Sequence, residues 1–283
     1  MKPEPAVGII GGSGLYEAGF LGKAKAHRVA TPFGPPSDAI VEGRLEGRRV
    51  LFLSRHGRGH RWPPHKIPAR ANLWALKKLG STALLSVSAV GSLKEEIAPL
   101  DVVVPDQLFD RTRSRPSTFF DDLTVHVSLA EPFCPVLRGL LAGGAREAGG
   151  KVHPRGTYVC VEGPQFSTKA ESAENRRAGF DVVGMTALPE ARLAREAQLC
   201  YGTLAFSTDY DVWKETEEVD VARILGNLRK NAALAQEVLR RVVPRIAEGR
   251  ECRCRTALEG AVVTDLKRLP APLRAKLKLL LGP

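Results

Sequence analysis

Short apolar runs alternate along the chain with longer stretches whose apolar residues are spaced three and four positions apart. The short runs predict β-strands, and several are apolar throughout, as expected of strands covered on both faces of a sheet. The longer stretches predict amphipathic helices, and Pro244 is expected to kink the last of them. This alternation indicates an α/β layered domain. The predicted strands span residues 6–12, 49–55, 82–90, 100–106, 156–163, 180–185 and 201–209, and the predicted helices span residues 68–80, 131–150, 188–198 and 221–249.

Two polar stretches without clear periodicity interrupt this pattern. Residues 107–128 are rich in arginine, and residues 54–68 hold three of the six histidines. Unstructured connections of this length in a compact domain are usually functional. We therefore expect both stretches to be loops that contribute to a site.

The composition is that of an ordinary soluble globular protein, with 43% hydrophobic and 26% charged residues in a chain of 283. No apolar run approaches the roughly 18 residues that suggest a membrane span, and the first residues lack the apolar region of a signal peptide. A cytoplasmic protein without a membrane partner is therefore expected. The net charge of +11 fits an anionic ligand, a nucleic-acid surface or a solvated basic surface. Scattered basic residues and only 6% aromatic residues disfavour nucleic acid.

The five cysteines show no C-x-x-C pair and no zinc spacing, so the sequence predicts no metal site. Cys134, Cys160 and Cys200 are isolated from one another and are expected to be buried thiols. Cys252 and Cys254 form a C-x-C pair in a basic segment. A small, strained disulfide and two free thiols are both compatible with this pair.

Small, hydroxyl and basic residues follow the predicted strands, where an α/β sheet binds its ligands. The stretch "GIIGGSGLY" offers backbone N–H groups and the Ser13 hydroxyl to an anion. Glu17 stands where a dinucleotide-binding motif has its third glycine, which disfavours that motif. Arg55 and His56 follow the next strand, and their side chains are donors that suit phosphate. Each stretch alone is also compatible with a tight turn or a surface ion pair.

Two further strand ends continue this pattern. Ser88 and Ala89 end the third predicted strand, and Met185 and Thr186 lie at a junction between a strand and a helix. Hydroxyls and small residues at such places suit a phosphate or a sugar. A lone methionine is more often a core residue, but the convergence of several such strand ends predicts one shared binding site.

The stretch "TDYD" places two acids, Asp209 and Asp211, at the end of the last predicted strand. Alternation along a strand puts both carboxylates on the same face, about 6 to 7 Å apart. Two carboxylates this close disfavour being ionised together, so one of them can hold a proton near neutral pH. The alternative is that they only cap the next segment.

Several of these stretches occur together in a family-specific order: "GIIGGSGLY", "RHGRGH", "SAVGSLKEEI", "EGPQFST", "GMTALPEARLAREA" and "TDYDVW". In this combination the chain resembles the 5′-methylthioadenosine phosphorylase family, which belongs to the purine nucleoside phosphorylases of the trimeric type. The resemblance implies an α/β three-layer sandwich with a central mixed β-sheet flanked by helices. It implies a single phosphorylase domain over residues 1–250, followed by a basic C-terminal extension over residues 251–283.

The resemblance also implies a reaction. Phosphate attacks the anomeric carbon of S-methyl-5′-thioadenosine, adenine leaves, and 5-methylthioribose 1-phosphate forms, with inorganic phosphate as co-substrate and no metal or organic cofactor. The implied phosphate-binding residues are Ser13, Arg55, His56, Ser88, Ala89 and Thr186. The implied substrate-binding residues are Phe166, Met185, Asp209, Asp211, His126, Val221, Ile224 and Leu225. His126 would come from a neighbouring subunit of a homotrimer, and a hexamer of two trimers stays open.

The two acids are the predicted catalytic residues. A departing purine needs a proton near N7, and we assign it to Asp209, with Asp211 recognising the exocyclic amine. The reverse assignment stays open. Enzymes of this superfamily that act on 6-oxopurines carry asparagine at the position matching Asp209, so Asp209 favours adenine. Two other functions stay open, namely a phosphorylase for methylthioinosine or general purine nucleosides and a non-catalytic binder of RNA or nucleotides.

Overall fold

The computed structural model describes residues 4–12, 15, 20–214 and 221–282, and it describes residues 221–225 only as helical backbone. Within these ranges the strands are β1 (Ala6–Gly11), β2 (Lys25–His27), β3 (Ile40–Leu45), β4 (Arg48–Ser54), β5 (Ser81–Ser92), β6 (Val102–Val103), β7 (Gln107–Arg111), β8 (Val152–His153), β9 (Thr157–Val161), β10 (Val182–Gly184) and β11 (Cys200–Asp209). The helices are α1 (Ala69–Lys78), α2 (Pro135–Glu147), α3 (Lys169–Arg177), α4 (Ala187–Glu196), α5 (Val221–Val242) and α6 (Ala271–Leu281).

The strands form one mixed sheet. Its main path runs β2-β3-β4-β1-β5-β10-β9-β7, and β11 branches from β5 toward β6 and β8. β1 is parallel to both β4 and β5, and β5 is parallel to β11. β10 is antiparallel to the end of β5 and parallel to β9. The carboxyl ends of β4, β1, β5 and β11 therefore meet at one edge of the sheet.

Helices cover both faces of this sheet. Along β1, Val7 and Ile9 belong to the core under α2 and α5, whereas Ala6 and Ile10 belong to the core under α1, α4 and α6. This follows from the strand geometry, since successive side chains point to opposite faces. It also explains why β1 is apolar throughout and buried at every position. The predicted three-layer α/β sandwich is confirmed.

Each predicted strand has a counterpart, although the run at 100–106 yields only the two residues of β6. The helix predicted at 221–249 ends at Val242, before Pro244, so the proline terminates the helix rather than kinking it. β7 lies in the segment predicted to be a loop at 107–128. Among the described residues, no helix is long and apolar enough to span a membrane.

Residues after 250 pack on both sides of the sheet. Cys254 joins the core under α2 and α5, and Leu277 and Leu280 of α6 join the opposite core. A single antiparallel bridge pairs Val125 with Val262. The C-terminal segment is thus held against the domain at Cys254, at Val262 and through α6.

Candidate active site

Arg55 follows β4 and is buried, with 2% of its surface exposed. Its guanidinium binds the carboxylate of Glu190, through Nε to Oε1 at 2.5 Å and through Nη2 to Oε2 at 3.1 Å. Nη2 also donates to Ser86 Oγ and Nη1 donates to the carbonyl of Val87. Burial opposes the charge, but Glu190 outweighs it and raises the pKa of Arg55.

The guanidinium group of Arg55, which we expected to bind phosphate, is therefore occupied by Glu190. Four of the five N–H groups of Arg55 have acceptors inside the protein, which leaves one on Nη1. Tyr201 donates its hydroxyl to the same carboxylate at 3.0 Å. The role of Arg55 in phosphate binding stays a prediction, and the geometry limits it to a single direct hydrogen bond from the side chain.

His56 lies in the predicted loop at 54–68, with its Nδ1 2.8 Å from the carbonyl oxygen of Trp62. A carbonyl oxygen only accepts, so Nδ1 carries a proton. Burial lowers the pKa of His56 to about 4, and the ring is neutral at pH 7, with Nε2 as an acceptor. The role of His56 in phosphate binding stays a prediction, and in this neutral form Nε2 can accept the proton of a monohydrogen phosphate.

Three hydroxyl groups meet where β5, β9 and the start of α4 approach one another. Ser88 Oγ lies 2.8 Å from Thr186 Oγ1 and 3.2 Å from the hydroxyl of Tyr158. Ala89 follows Ser88 on β5 and is exposed. The structure thus brings three predicted phosphate-binding residues together, and Tyr158 is an addition that the sequence did not predict.

An irregularity at the end of β11 sets the position of the two acids. The register between β11 and β5 shifts between Ser207, which pairs with Val90, and Asp209, which pairs with Gly91. Thr208 is the extra residue, and its hydroxyl donates to Asp209 Oδ2 at 2.6 Å. Such bulges re-aim side chains next to active sites.

The helix α5 holds this bulge in place. Asn227 donates to the carbonyl of Thr208 at 2.8 Å, and Asn231 donates to the carbonyl of Ser207 at 3.2 Å. The two asparagines are four residues apart, which places them on one face of the helix. Sequence reasoning treated this helix as amphipathic and missed both residues.

Asp209 and Asp211 lie side by side, but strand alternation is not the reason. β11 ends at Asp209, and Asp211 has a φ of 52°, in the left-handed region. The backbone N–H of Asp211 donates to Asp209 Oδ1 at 2.8 Å, so a tight turn pairs the acids. A Cβ on Gly91 would lie 3.0 Å from Asp209 Oδ1 and 3.3 Å from Asp211 Cβ, so both acids cover this glycine.

The surroundings distinguish the two acids. Asp209 accepts from the Thr208 hydroxyl and the Asp211 amide, and both donors complement a charged carboxylate. Asp211 is buried, with 5% of its surface exposed. Burial, helped by the negative charge of Asp209, raises the pKa of Asp211, and its buried Oδ2 has no hydrogen-bond partner among the described residues. Asp211 is therefore the acid whose environment favours a proton.

Met185 is held from two sides between β10 and α4. Arg115 donates Nη1 to the carbonyl of Met185 at 2.6 Å and to that of Leu188 at 2.7 Å, and it binds the carbonyls of residues 161 and 162 through Nη2. Gly163 has a φ of 66°, and a Cβ on it would lie 2.5 Å from Met185 Sδ. Arg115 thus fixes two site loops, a role that the arginine-rich composition of residues 107–128 did not specify.

Two predicted substrate contacts are exposed side chains. Phe166 is 57% exposed, in the loop between β9 and α3. His126 is exposed, and its backbone N–H donates to the carbonyl of Ala261 at 2.8 Å. Their roles stay predictions. Four other predicted site residues lie outside the described residues, namely Ser13 and the side chains of Val221, Ile224 and Leu225.

The sequence matches the profile of the phosphorylase superfamily over residues 6–244. Together with the mixed sheet and the site at the strand ends, this match identifies the chain as a member of the phosphorylase superfamily. A relative from Chloroflexus aurantiacus, an S-methyl-5′-thioadenosine phosphorylase, is 52% identical over 98% of this chain and 97% of its own length. A relative of the same description from Geobacter sulfurreducens is 48% identical over 99% of both chains.

Solved structures agree with these relatives. A methylthioadenosine phosphorylase from an antarctic soil metagenomic library matches with a TM-score of 0.94 and 46% identity, over 99% of this chain and 100% of its own. The methylthioadenosine phosphorylase of Schistosoma mansoni in complex with adenine matches with a TM-score of 0.86 and 37% identity, over 92% and 99% of the two chains. The chain belongs to the S-methyl-5′-thioadenosine phosphorylase family of the phosphorylase superfamily.

Proposed function

We propose that the protein cleaves S-methyl-5′-thioadenosine by phosphorolysis, giving adenine and 5-methylthioribose 1-phosphate for methionine and purine salvage. The observation that carries this proposal is the pair of acids that covers Gly91 of β5, together with the hydroxyl of Ser88, on the same strand, which lies next to the hydroxyl of Thr186. Gly91 is three positions after Ser88, which corresponds to about 10 Å along β5. A ribose fits between a phosphate at one end of this span and a purine at the other.

The chemistry of the reaction supports placing phosphate near Ser88 and the purine near Gly91. Breaking the N-glycosidic bond gives the sugar oxocarbenium character and leaves negative charge on the base, as in glycoside cleavage. A phosphate held by Ser88, Thr186 and the strand-end loop stabilises the cation and attacks the anomeric carbon. The base then leaves as neutral adenine once N7 has received a proton. Phosphate is a co-substrate here, and the reaction needs no metal or organic cofactor.

The environments of the two acids support a division of their roles. Asp211 is the buried acid with the raised pKa, so it supplies the proton to N7. Asp209 accepts from the Thr208 hydroxyl and the Asp211 amide, and we assign to its carboxylate the hydrogen bond from the exocyclic amine of adenine. This assignment reverses the one we preferred from the sequence. It still explains a preference for adenine, because a charged carboxylate repels the oxygen of a 6-oxopurine.

A pair of variants tests this division of roles. We expect Asp209→Asn to lower kcat/KM for methylthioadenosine by about 100-fold while it raises the relative rate on methylthioinosine. We expect Asp211→Asn to lower kcat for both nucleosides, because both leaving bases need a proton. An Asp209→Asn enzyme with an unchanged preference would contradict the assignment. Faster cleavage of methylthioinosine by the unaltered protein would instead identify it as a 6-oxopurine phosphorylase.

The proposed working form is a cytoplasmic homotrimer in which His126 lines the 5′ pocket of a neighbouring subunit. The exposure of His126 in the single chain supports this arrangement. Mixing an Asp209→Asn chain with a His126→Ala chain tests it, since a mixed trimer contains sites with both native residues. Activity recovered on mixing is expected, and mixtures no more active than the separate variants would contradict a shared site.

A further inference from the structure

Four of the five cysteines converge at a place remote from the candidate active site. The sulfur atoms of Cys134, Cys200, Cys252 and Cys254 all lie within 4.8 Å of one another. Cys134 precedes α2, Cys200 begins β11, and the other two lie in the segment after α5. The spacing along the chain contains no recognisable metal motif, and only the fold brings these residues together.

The geometry of this cysteine cluster fits a tetrahedral ion better than two disulfides. All four sulfurs are free thiols, and Cys134 Sγ lies 3.4 Å from Cys252 Sγ. A tetrahedral zinc ion with Zn–S bonds of 2.3 Å requires sulfurs about 3.8 Å apart. The separations between the four sulfurs are thus already close to those that zinc requires. Two disulfides would instead bring the sulfurs together as two bonded pairs.

The surroundings also suit a negatively charged cluster. Cys134 and Cys200 are fully buried, and Cys254 is 2% exposed. The guanidinium of Arg250 is close enough to Cys200 to interact with it electrostatically. Its Nη atoms donate to backbone carbonyls, but its Nε is buried and has no hydrogen-bond partner among the described residues. A metal-bound thiolate is a stronger acceptor for a guanidinium N–H than a disulfide sulfur is.

An open cavity gives an ion access to the cluster. It measures about 620 Å³ and is lined by residues 249–253, 255 and 256, including Cys252. Three of the lining residues are Arg250, Arg253 and Arg255. With one acid, Glu251, in the same lining, the surroundings carry a net positive charge, which suits the excess negative charge that four thiolates leave around a divalent ion.

We propose that Cys134, Cys200, Cys252 and Cys254 form a structural zinc site. Zinc replaces four thiol protons, which pass to the solvent, and no group is oxidised or reduced. Because the protein fills all four positions, the site has no open position for a substrate. It ties the start of α2 and the start of β11 to the C-terminal segment. β11 separates it from the acids by nine residues, about 30 Å, so it takes no part in the reaction.

The first test is the metal content of the full-length protein purified with a thiol reductant and without chelators. We expect about one zinc per chain by plasma mass spectrometry, and a loss of at least fivefold in Cys134→Ser and Cys254→Ser. Cys160→Ala is the matched control, because Cys160 is equally buried but lies in a different core cluster. Its zinc content should equal that of the unaltered protein.

A second test needs no variant and therefore stands even if the serine variants fail to fold. Replacing the metal by Co²⁺ in the unaltered protein should give the visible and near-ultraviolet absorption bands of tetrahedral thiolate coordination. Zinc-free protein from zinc-supplemented cells that also gives no such bands would overturn the proposal. So would an intact mass lower by four hydrogens with a single titratable thiol, because that result shows two disulfides.

Discussion

The buried ion pair between Arg55 and Glu190 gives the sharpest prediction about stability. Both residues are 2% exposed, and the carboxylate also accepts from Tyr201. Glu190→Gln keeps the size of the side chain but leaves the charge of Arg55 without a counter-charge inside the protein. Removing one partner of a buried pair typically costs about 3–5 kcal/mol. We expect the free energy of unfolding to fall by about 4 kcal/mol.

Urea unfolding at pH 7.5 and fixed protein concentration measures this change. The matched control is Glu174→Gln, whose partner Arg177 is 80% exposed, and we expect it to cost less than about 1 kcal/mol. The double variant Arg55→Met, Glu190→Leu should lose less stability than Glu190→Gln, because it buries no unpaired charge. A Glu190→Gln cost similar to the control, or a double variant worse than the single one, would refute this reasoning.

Three further predictions concern His56, Asp211 and the position of Met185. Because burial lowers the pKa of His56 to about 4, the unfolded chain binds a proton first, so the contribution of this residue makes stability fall as pH drops from 6.5 to 4. His56→Gln should remove about 3 kcal/mol of this dependence, and an unchanged dependence in the variant would contradict the prediction. Burial raises the pKa of Asp211, so the contribution of this residue to stability decreases as pH rises above 3.8. The stability of Asp211→Asn relative to wild type should therefore increase between pH 4 and 7, which urea unfolding of both proteins at each pH measures. Gly163→Ala should raise KM for the nucleoside severalfold, because its Cβ displaces Met185; an unchanged KM would show that Met185 does not set the position of the sugar.

The central strands could be predicted from the sequence because both of their faces are covered. Edge strands could not, since β2 and β7 are mostly exposed or half-buried and lack an apolar run. Helix α3 was missed for a similar reason, because its buried residues are Ser172 and Asn175. A capping box of Thr168 and Glu171 marks its start, and that motif was readable in the sequence.

Some residues of the candidate site could likewise be predicted from the sequence, and others could not. Ser88 and Thr186 were predicted from strand ends, because parallel strands bring their carboxyl ends together. Glu190 was missed, since it is 135 residues from Arg55 along the chain and local spacing does not report such a contact. The proximity of Asp209 and Asp211 was predicted from strand alternation, whereas a bulge in β11 and a left-handed residue bring them together. Neither of these two features is visible as a pattern of residues in the sequence.

The most direct measurement of the proposed function is the rate of adenine release from methylthioadenosine with and without inorganic phosphate, compared with hypoxanthine release from methylthioinosine. The account predicts release that depends on phosphate and yields 5-methylthioribose 1-phosphate. It also predicts kcat/KM at least about 30-fold higher for methylthioadenosine, since an unfavourable contact at the 6-position costs about 2 kcal/mol. Release without phosphate, or equal rates on the two nucleosides, would contradict it.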